Sequence, residues 1–250
     1  MKRLLVLATF CCALGASAQT VLFDSMTGST TTFTGNTPHT LMGMGFNLGV
    51  SSPAIVRAMD FAFTSTAVAT YTQIQVQVSF FGVANGVTTG SNPAFGNLIA
   101  SRTINTGART TATNTSYVFG SSAAPGTPGV TFTTPFTLPT GTNLGIQILV
   151  LGDTGSGLQV TENLTHRLRH TGAFAVGSNL PSNGYYRNVS QPTPANSQTS
   201  LLGSDFRTLT NSPANTGLYF RLYGEPVPEP ATILGLGLGA ALLARRRRKQ

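Results

Sequence analysis

Apolar and polar positions alternate along much of the chain with a period of two. Thr72, Ile74, Val76, Val78 and Phe80 are interleaved with Gln73, Gln75, Gln77 and Ser79, the pattern of a strand with one face buried and one wet. Ile146, Ile148 and Val150 repeat it around Gln147, although Leu149 and Leu151 make the second face apolar as well. The segment 55–63 predicts a third strand, with Ile55, Met59, Phe61 and Phe63 on one side. Leu98 to Thr103, the stretch holding Phe132 and Phe136, Leu164 to Arg169, and Tyr219 to Tyr223 complete the set. Asn85-Gly86 is a hairpin-turn signal, and Pro139-Thr140-Gly141 and Pro181-Ser182-Asn183-Gly184 mark loops. The Pro/Asn/Ser/Thr-rich stretch 191–200 reads as a long surface loop. Outside the termini no segment carries a helical stripe. Many short strands between turns predict an all-β fold: a single antiparallel β-sandwich, jelly-roll-like, over residues 19–225. That length is ordinary for one all-β domain.

The two ends break the pattern. Met1-Lys2-Arg3 is a short positive stretch, Leu4 to Leu14 is apolar, and Ala16-Ser17-Ala18 has the small-x-small form of a cleavage site. Residues 1–18 therefore read as a signal peptide removed by signal peptidase after Ala18. Cys11 and Cys12 are the chain's only cysteines. Both leave with that peptide, so the mature chain has no thiol chemistry. At the other end, residues 224–230 (GEPVPEP) halt regular structure. Residues 231–244 follow as an uncharged run rich in Leu and Gly, and Arg245, Arg246, Arg247, Arg248 and Lys249 form a basic stop. Fourteen helical residues reach about 21 Å, short for a hydrocarbon core of about 30 Å. The run reads as a short transmembrane helix, with the basic stop held on the cytoplasmic side.

Charge follows the same division. The chain carries +8 and has a pI of about 10.2, values that ordinarily point to nucleic acid. Seven of the basic residues lie at the two ends. Between them eight Arg face seven carboxylates, a net charge of about +1. No central patch can track a phosphate backbone, so nucleic acid is not expected as a partner.

The candidate chemistry is sparse. Asp153-Thr154-Gly155-Ser156 is similar to the aspartic-protease tripeptide, but that chemistry needs two carboxylates sharing a proton, and Asp24, Asp60 and Asp205 lack the following Thr/Ser-Gly. A β-turn after a buried strand accounts for the segment. His166 and His170 would flank Leu168 on one strand face, with Arg167 and Arg169 opposite, and they read as solvated histidines on an edge strand; no metal site is expected. Glycoside hydrolysis needs two placed carboxylates, and nothing in the spacing of Asp24, Asp60, Asp153, Glu162, Asp205 and Glu225 selects a pair. A nucleophile elbow and a phosphate-binding glycine loop are both absent. No catalytic residue and no cofactor is assigned.

The tail has a family resemblance. Val227-Pro228-Glu229-Pro230-Ala231, the Leu-Gly run from Leu234 to Gly239 and Arg245 to Arg248 resemble the PEP-CTERM sorting signal of Gram-negative bacteria, over about 25 of 250 residues. The resemblance implies a sorting motif at Pro228, Glu229 and Pro230 and removal of the tail by a membrane transpeptidase-like enzyme, an exosortase. It implies transient anchoring through residues 231–244 and a setting of exopolysaccharide and biofilm matrix. Such tails are attached to many unrelated exported domains, some named for ice binding; they are addresses, not activities. A plain tail anchor is the alternative, for which the span is short.

Two functional classes follow for the β-domain. One is a non-catalytic protein of the cell surface or matrix, in contact with exopolysaccharide through a neutral Thr/Asn/Gln-rich surface and exposed tyrosines such as Tyr185 and Tyr186. The other is a secreted hydrolase acting on polysaccharide or protein. An ice-binding face would need ranked threonines on a repeat, and Thr30-Thr31-Thr32 and Thr131-Phe132-Thr133 belong to none.

Overall fold

The structure, a computed structural model, describes residues 19–27, 29–32, 41–83, 95–120, 127–140, 144–159, 161, 163–171, 174–179, 185–188, 206–208 and 217–227. Its described part is all-β, with the strands in two antiparallel sheets. The first sheet contains β1 (Thr20–Asp24), β2 (Ser29–Thr32), β4 (Ala54–Ser65), β7 (Thr115–Phe119), β8 (Val130–Leu138), β11 (Leu164–Thr171), β15 (Gly217–Leu218) and β16 (Phe220–Pro226). The second contains β3 (Leu41–Asn47), β5 (Ala69–Val83), β6 (Phe95–Thr111), β9 (Leu144–Asp153), β10 (Leu158–Gln159), β12 (Ser178–Asn179), β13 (Tyr185–Asn188) and β14 (Phe206–Thr208).

The strands expected at 55–63, 72–80, 98–103, 132–136, 146–150, 164–169 and 219–223 all lie within or across these elements. The signals at 85–86, 181–184 and 191–200, the signal peptide and the tail beyond Val227 lie outside the described residues. Among the described residues no helix is long and apolar enough to cross a membrane.

Register fixes the order. Phe61 pairs with Phe220 on one side and Phe119 on the other; Ala54 pairs with Pro226 and Leu138. Thus β4 lies between β16 and the β7/β8 pair, and β1 closes on the far side of β16. The first sheet therefore runs β1-β16-β4-β8 through its middle. The second runs β3-β9-β5-β6.

One apolar core joins the sheets. Val56, Met59, Phe61, Phe63, Phe220 and Leu222 from the first meet Phe46, Ile74, Val76, Val78, Phe80, Ile146, Ile148 and Val150 from the second. Aromatic contacts bridge the layers: Phe46 meets Phe23 edge-on at 4.9 Å and Phe220 at 5.7 Å, and Phe80 meets Phe136 at 4.8 Å between centroids. Each such side chain contributes roughly 1.5–3 kcal/mol by leaving water.

The reading of 55–63 needs one correction. Ile55 does not share the core face with Met59; Ala54 and Val56 do. Tyr223 pairs with Ala58 and Gly224 with Val56, so Arg57 is an extra residue opposite no partner on β16. A bulge of this kind shifts the alternation by one and exchanges the faces of everything before it.

Candidate functional site

On the outer face of the first sheet three charged residues stand in a row. Arg221 on β16 lies directly opposite Asp24 on β1 and Asp60 on β4. Its Nε is 2.9 Å from Asp24 Oδ2 and its Nη1 is 3.1 Å from Asp60 Oδ2. All three are buried. Tyr223, two residues along the same face, donates its hydroxyl to Asp60 Oδ2 at 2.6 Å. The remaining carboxylate oxygens accept backbone N–H groups: Asp24 Oδ1 from Met26 at 2.8 Å and Asp60 Oδ1 from Gly129 at 2.8 Å. Burial by itself lowers the pKa of Arg221, but the hydrogen bond it donates to Asp24 and the contact with Tyr223 outweigh it and hold the group above its ordinary value. Both carboxylates are thus tied to one buried guanidinium. The row holds three strands in register.

The other sequence candidates resolve simply. Asp153 ends β9 in the hairpin to β10, where its Oδ1 accepts N–H groups from Gly155 at 2.7 Å and Gly157 at 2.9 Å. The Gly155 hydrogen bond, ahead of the others, lowers its pKa. Asp-Thr-Gly-Ser is thus a turn, as its composition predicts. His166, by contrast, is neither solvated nor on an edge. It is buried, pairs with Phe63, and shares a face with the core residue Leu164. β11 is flanked by β2 on one side and by β4 and β15 on the other. The side chains of His170, Tyr185 and Tyr186 lie outside the described residues. Glu225 pairs with Arg57, whose Nε donates to Oε1 at 3.0 Å. The four described carboxylates therefore each have a structural partner, whereas Glu162 and Asp205 lie outside the description. Among the described residues no three His, Cys, Asp or Glu side chains converge on a metal position.

The outer face of the second sheet is different in kind. Gln73 and Gln75 donate their Nε2 groups to Asn105 Oδ1 at 2.8 and 3.2 Å, and Gln77 Nε2 donates to Gln75 Oε1 at 3.0 Å. Thr103 lies opposite Gln77, and the hydroxyls of Ser79 and Ser101 lie 3.2 Å apart. This row bears no charge and presents amides and hydroxyls already aligned by one another. Beside Ser79 on β9, Gln147 is buried, and neither of its amide atoms has a hydrogen-bond partner among the described residues. Sequence periodicity marked these outward glutamines, but the contribution of Asn105 depends on β5–β6 register and was not legible.

The last strand runs into the tail without a spacer. Glu225 and Pro226 pair with Ile55 and Ala54, and the Val227 N–H donates to Pro53 O at 2.6 Å. Pro228, Glu229 and Pro230 follow at once; they, Arg245 to Lys249, Ala16 and Ala18 lie outside the described residues.

A two-sheet β-domain that passes directly from its final strand into a Pro-Glu-Pro segment defines a class by its end: a folded cargo with a C-terminal address. Residues 226–249 match the family model of the PEP-CTERM protein-sorting motif, so the chain carries that motif as its tail. The motif implies export and transient membrane anchoring in a Gram-negative bacterium, with exosortase as the processing enzyme. Comparison with curated proteins and with solved structures gives no match.

Proposed function

We propose that this chain is a non-catalytic protein of the bacterial cell surface or extracellular matrix, held in exopolysaccharide through the outer face of β5 and β6. The amide row of Gln73, Gln75, Gln77 and Asn105 is the observation that carries this reading. A neutral, hydroxyl-rich polymer offers donors and acceptors in equal measure. Side-chain amides, which carry both, match it without charge. The strand orders β1-β16-β4-β8 and β3-β9-β5-β6 support a jelly-roll sandwich, an architecture that lectin domains also use. The structural duties of Asp24, Asp60, Asp153 and Glu225 support a binding role over hydrolysis.

In this reading signal peptidase removes residues 1–18, and β1 begins at Thr20. Residues 231–244 hold the membrane only until exosortase removes the tail. The test is co-sedimentation of the native exported protein with extracellular polysaccharide from its own culture, beside a Gln73→Ala/Gln75→Ala/Asn105→Ala variant. Retention should fall at least about tenfold, since several lost hydrogen bonds at about 1 kcal/mol each exceed that factor. Equal retention of the two proteins refutes the amide face as the contact. Release of reducing ends from the polymer by the wild-type protein would make it a hydrolase instead.

A further inference from the structure

The end of β16 is built differently from its middle. At Arg221 the strand is held on both sides, by Asp24 and by Asp60, in a buried row. The last residue with two neighbours is Gly224, opposite Thr20 and Val56. Beyond it Glu225 and Pro226 pair with β4 alone among the described residues, and Pro226 has no N–H to donate. The bulge at Arg57 separates this tip from the rest of the β4–β16 ladder. The bulged residue supplies the guanidinium that holds Glu225. The tip is more exposed than its base: Gly224 is buried, Glu225 and Val227 are half-buried and Pro226 is exposed. Pairing to β4 alone among the described residues, a proline, a half-exposed ion pair and one terminal backbone bond from Val227 to Pro53 define a segment that opens locally at low cost while its base stays fixed.

An enzyme that cuts a chain binds it extended, across residues on both sides of the bond. For a motif at Pro228-Glu229-Pro230 the residues on the N-terminal side are Gly224 to Val227, and the sheet already occupies them. We propose that the tip of β16 is a gate on tail removal: Glu225 to Val227 must peel from β4 before exosortase engages the motif, and the Asp24–Arg221–Asp60 row stops the peel at Gly224. The gate presupposes the reading of the tail as an exosortase substrate. In the cut the peptide C–N bond breaks, the acyl side passes to water or to an acceptor amine, and the tail leaves with the new amino group. The gate acts before that step. When opening and closing are fast relative to cutting, the rate of cutting follows the open population.

The test is pulse–chase of the full-length protein in cells that contain exosortase, reading precursor and trimmed chain by intact mass. Arg57→Ala removes the half-exposed ion pair and should speed trimming about 1.5- to 5-fold. Ile55→Cys/Glu225→Cys staples the tip to β4. Opposed Cα atoms in an antiparallel pair lie about 4.5–5.5 Å apart, within disulfide range, and no other cysteine follows residue 12. Trimming of the stapled chain should slow about tenfold or more and recover on reduction. A linker of eight Gly/Ser residues between Val227 and Pro228 should make trimming insensitive to the staple. Equal rates for oxidised and reduced staple together with an unchanged rate for Arg57→Ala would overturn the gate. The sorting reading fails separately, if Pro228→Ala/Glu229→Ala/Pro230→Ala is trimmed like the wild type.

Discussion

Arg221 is fully buried, and its value to the fold lies in what its removal would leave behind. Arg221→Met strands two buried carboxylates, so a loss of about 3–5 kcal/mol is expected in urea or thermal unfolding. Asp24→Asn/Arg221→Met/Asp60→Asn removes all three charges while keeping acceptors for the N–H groups of Met26 and Gly129. It should recover much of that loss, because a buried charge row is often no more stabilising than a neutral replacement. A triple variant as unstable as the single one contradicts this account. The sequence held only part of the information. Phe220, Arg221 and Leu222 read as an alternating strand, which places Arg221 opposite the core face. That its partners are Asp24 and Asp60 depends on β16 lying between β1 and β4, and spacing along the chain does not encode it. His166 failed for a related reason: polarity argued for solvent, while the face it shares with Leu164 decided for the interior.

At the scale of elements, period-two alternation found the long strands because each has a face committed to the core. It missed the bulge at Arg57, where β4 carries one residue more than its neighbour and the faces exchange. Tight approaches are equally invisible to it. Gly120, at the end of β7, has φ of +101°, and a Cβ there would overlap the Asp60 carboxylate. Gly120→Ala therefore combines a disfavoured backbone with displacement of Asp60 from Arg221. A loss of more than about 1 kcal/mol is expected, with the same denaturation measurement as readout. Stability equal to wild type would mean that Asp60 is not confined by that turn. The amide row is an element property too. Three of its members stand on β5 and were visible in the alternation, whereas Asn105 joins them only through pairing with β6.

At the scale of the molecule, charge and fold belong to different parts of the chain. Residues 19–227 carry eight Arg and six carboxylates, a side-chain charge of +2 against +8 for the precursor. Isoelectric focusing should therefore show a strongly basic precursor and a mature form that is still basic, because Arg outnumber carboxylates, but focuses roughly one pH unit lower. A mature form that keeps the precursor's position would show that the basic ends remain attached. The tail was legible because an address must be read from local sequence by an enzyme. The role of the β-domain was much less so, since its surfaces are assembled from strands far apart in the chain.

The place of β16 also orders events in time. It slots between β1, where Thr20 pairs with Gly224, and β4, so the first sheet lacks an inner strand until nearly the whole polypeptide has been delivered. An exported chain crosses the membrane N-terminus first, and its early strands wait outside for their last partner. That partner is the final stretch to emerge before the apolar run reaches the bilayer. Completion of the fold and arrest in the membrane thus coincide, and a chain halted a dozen residues early would carry an open sheet with no means of closing it.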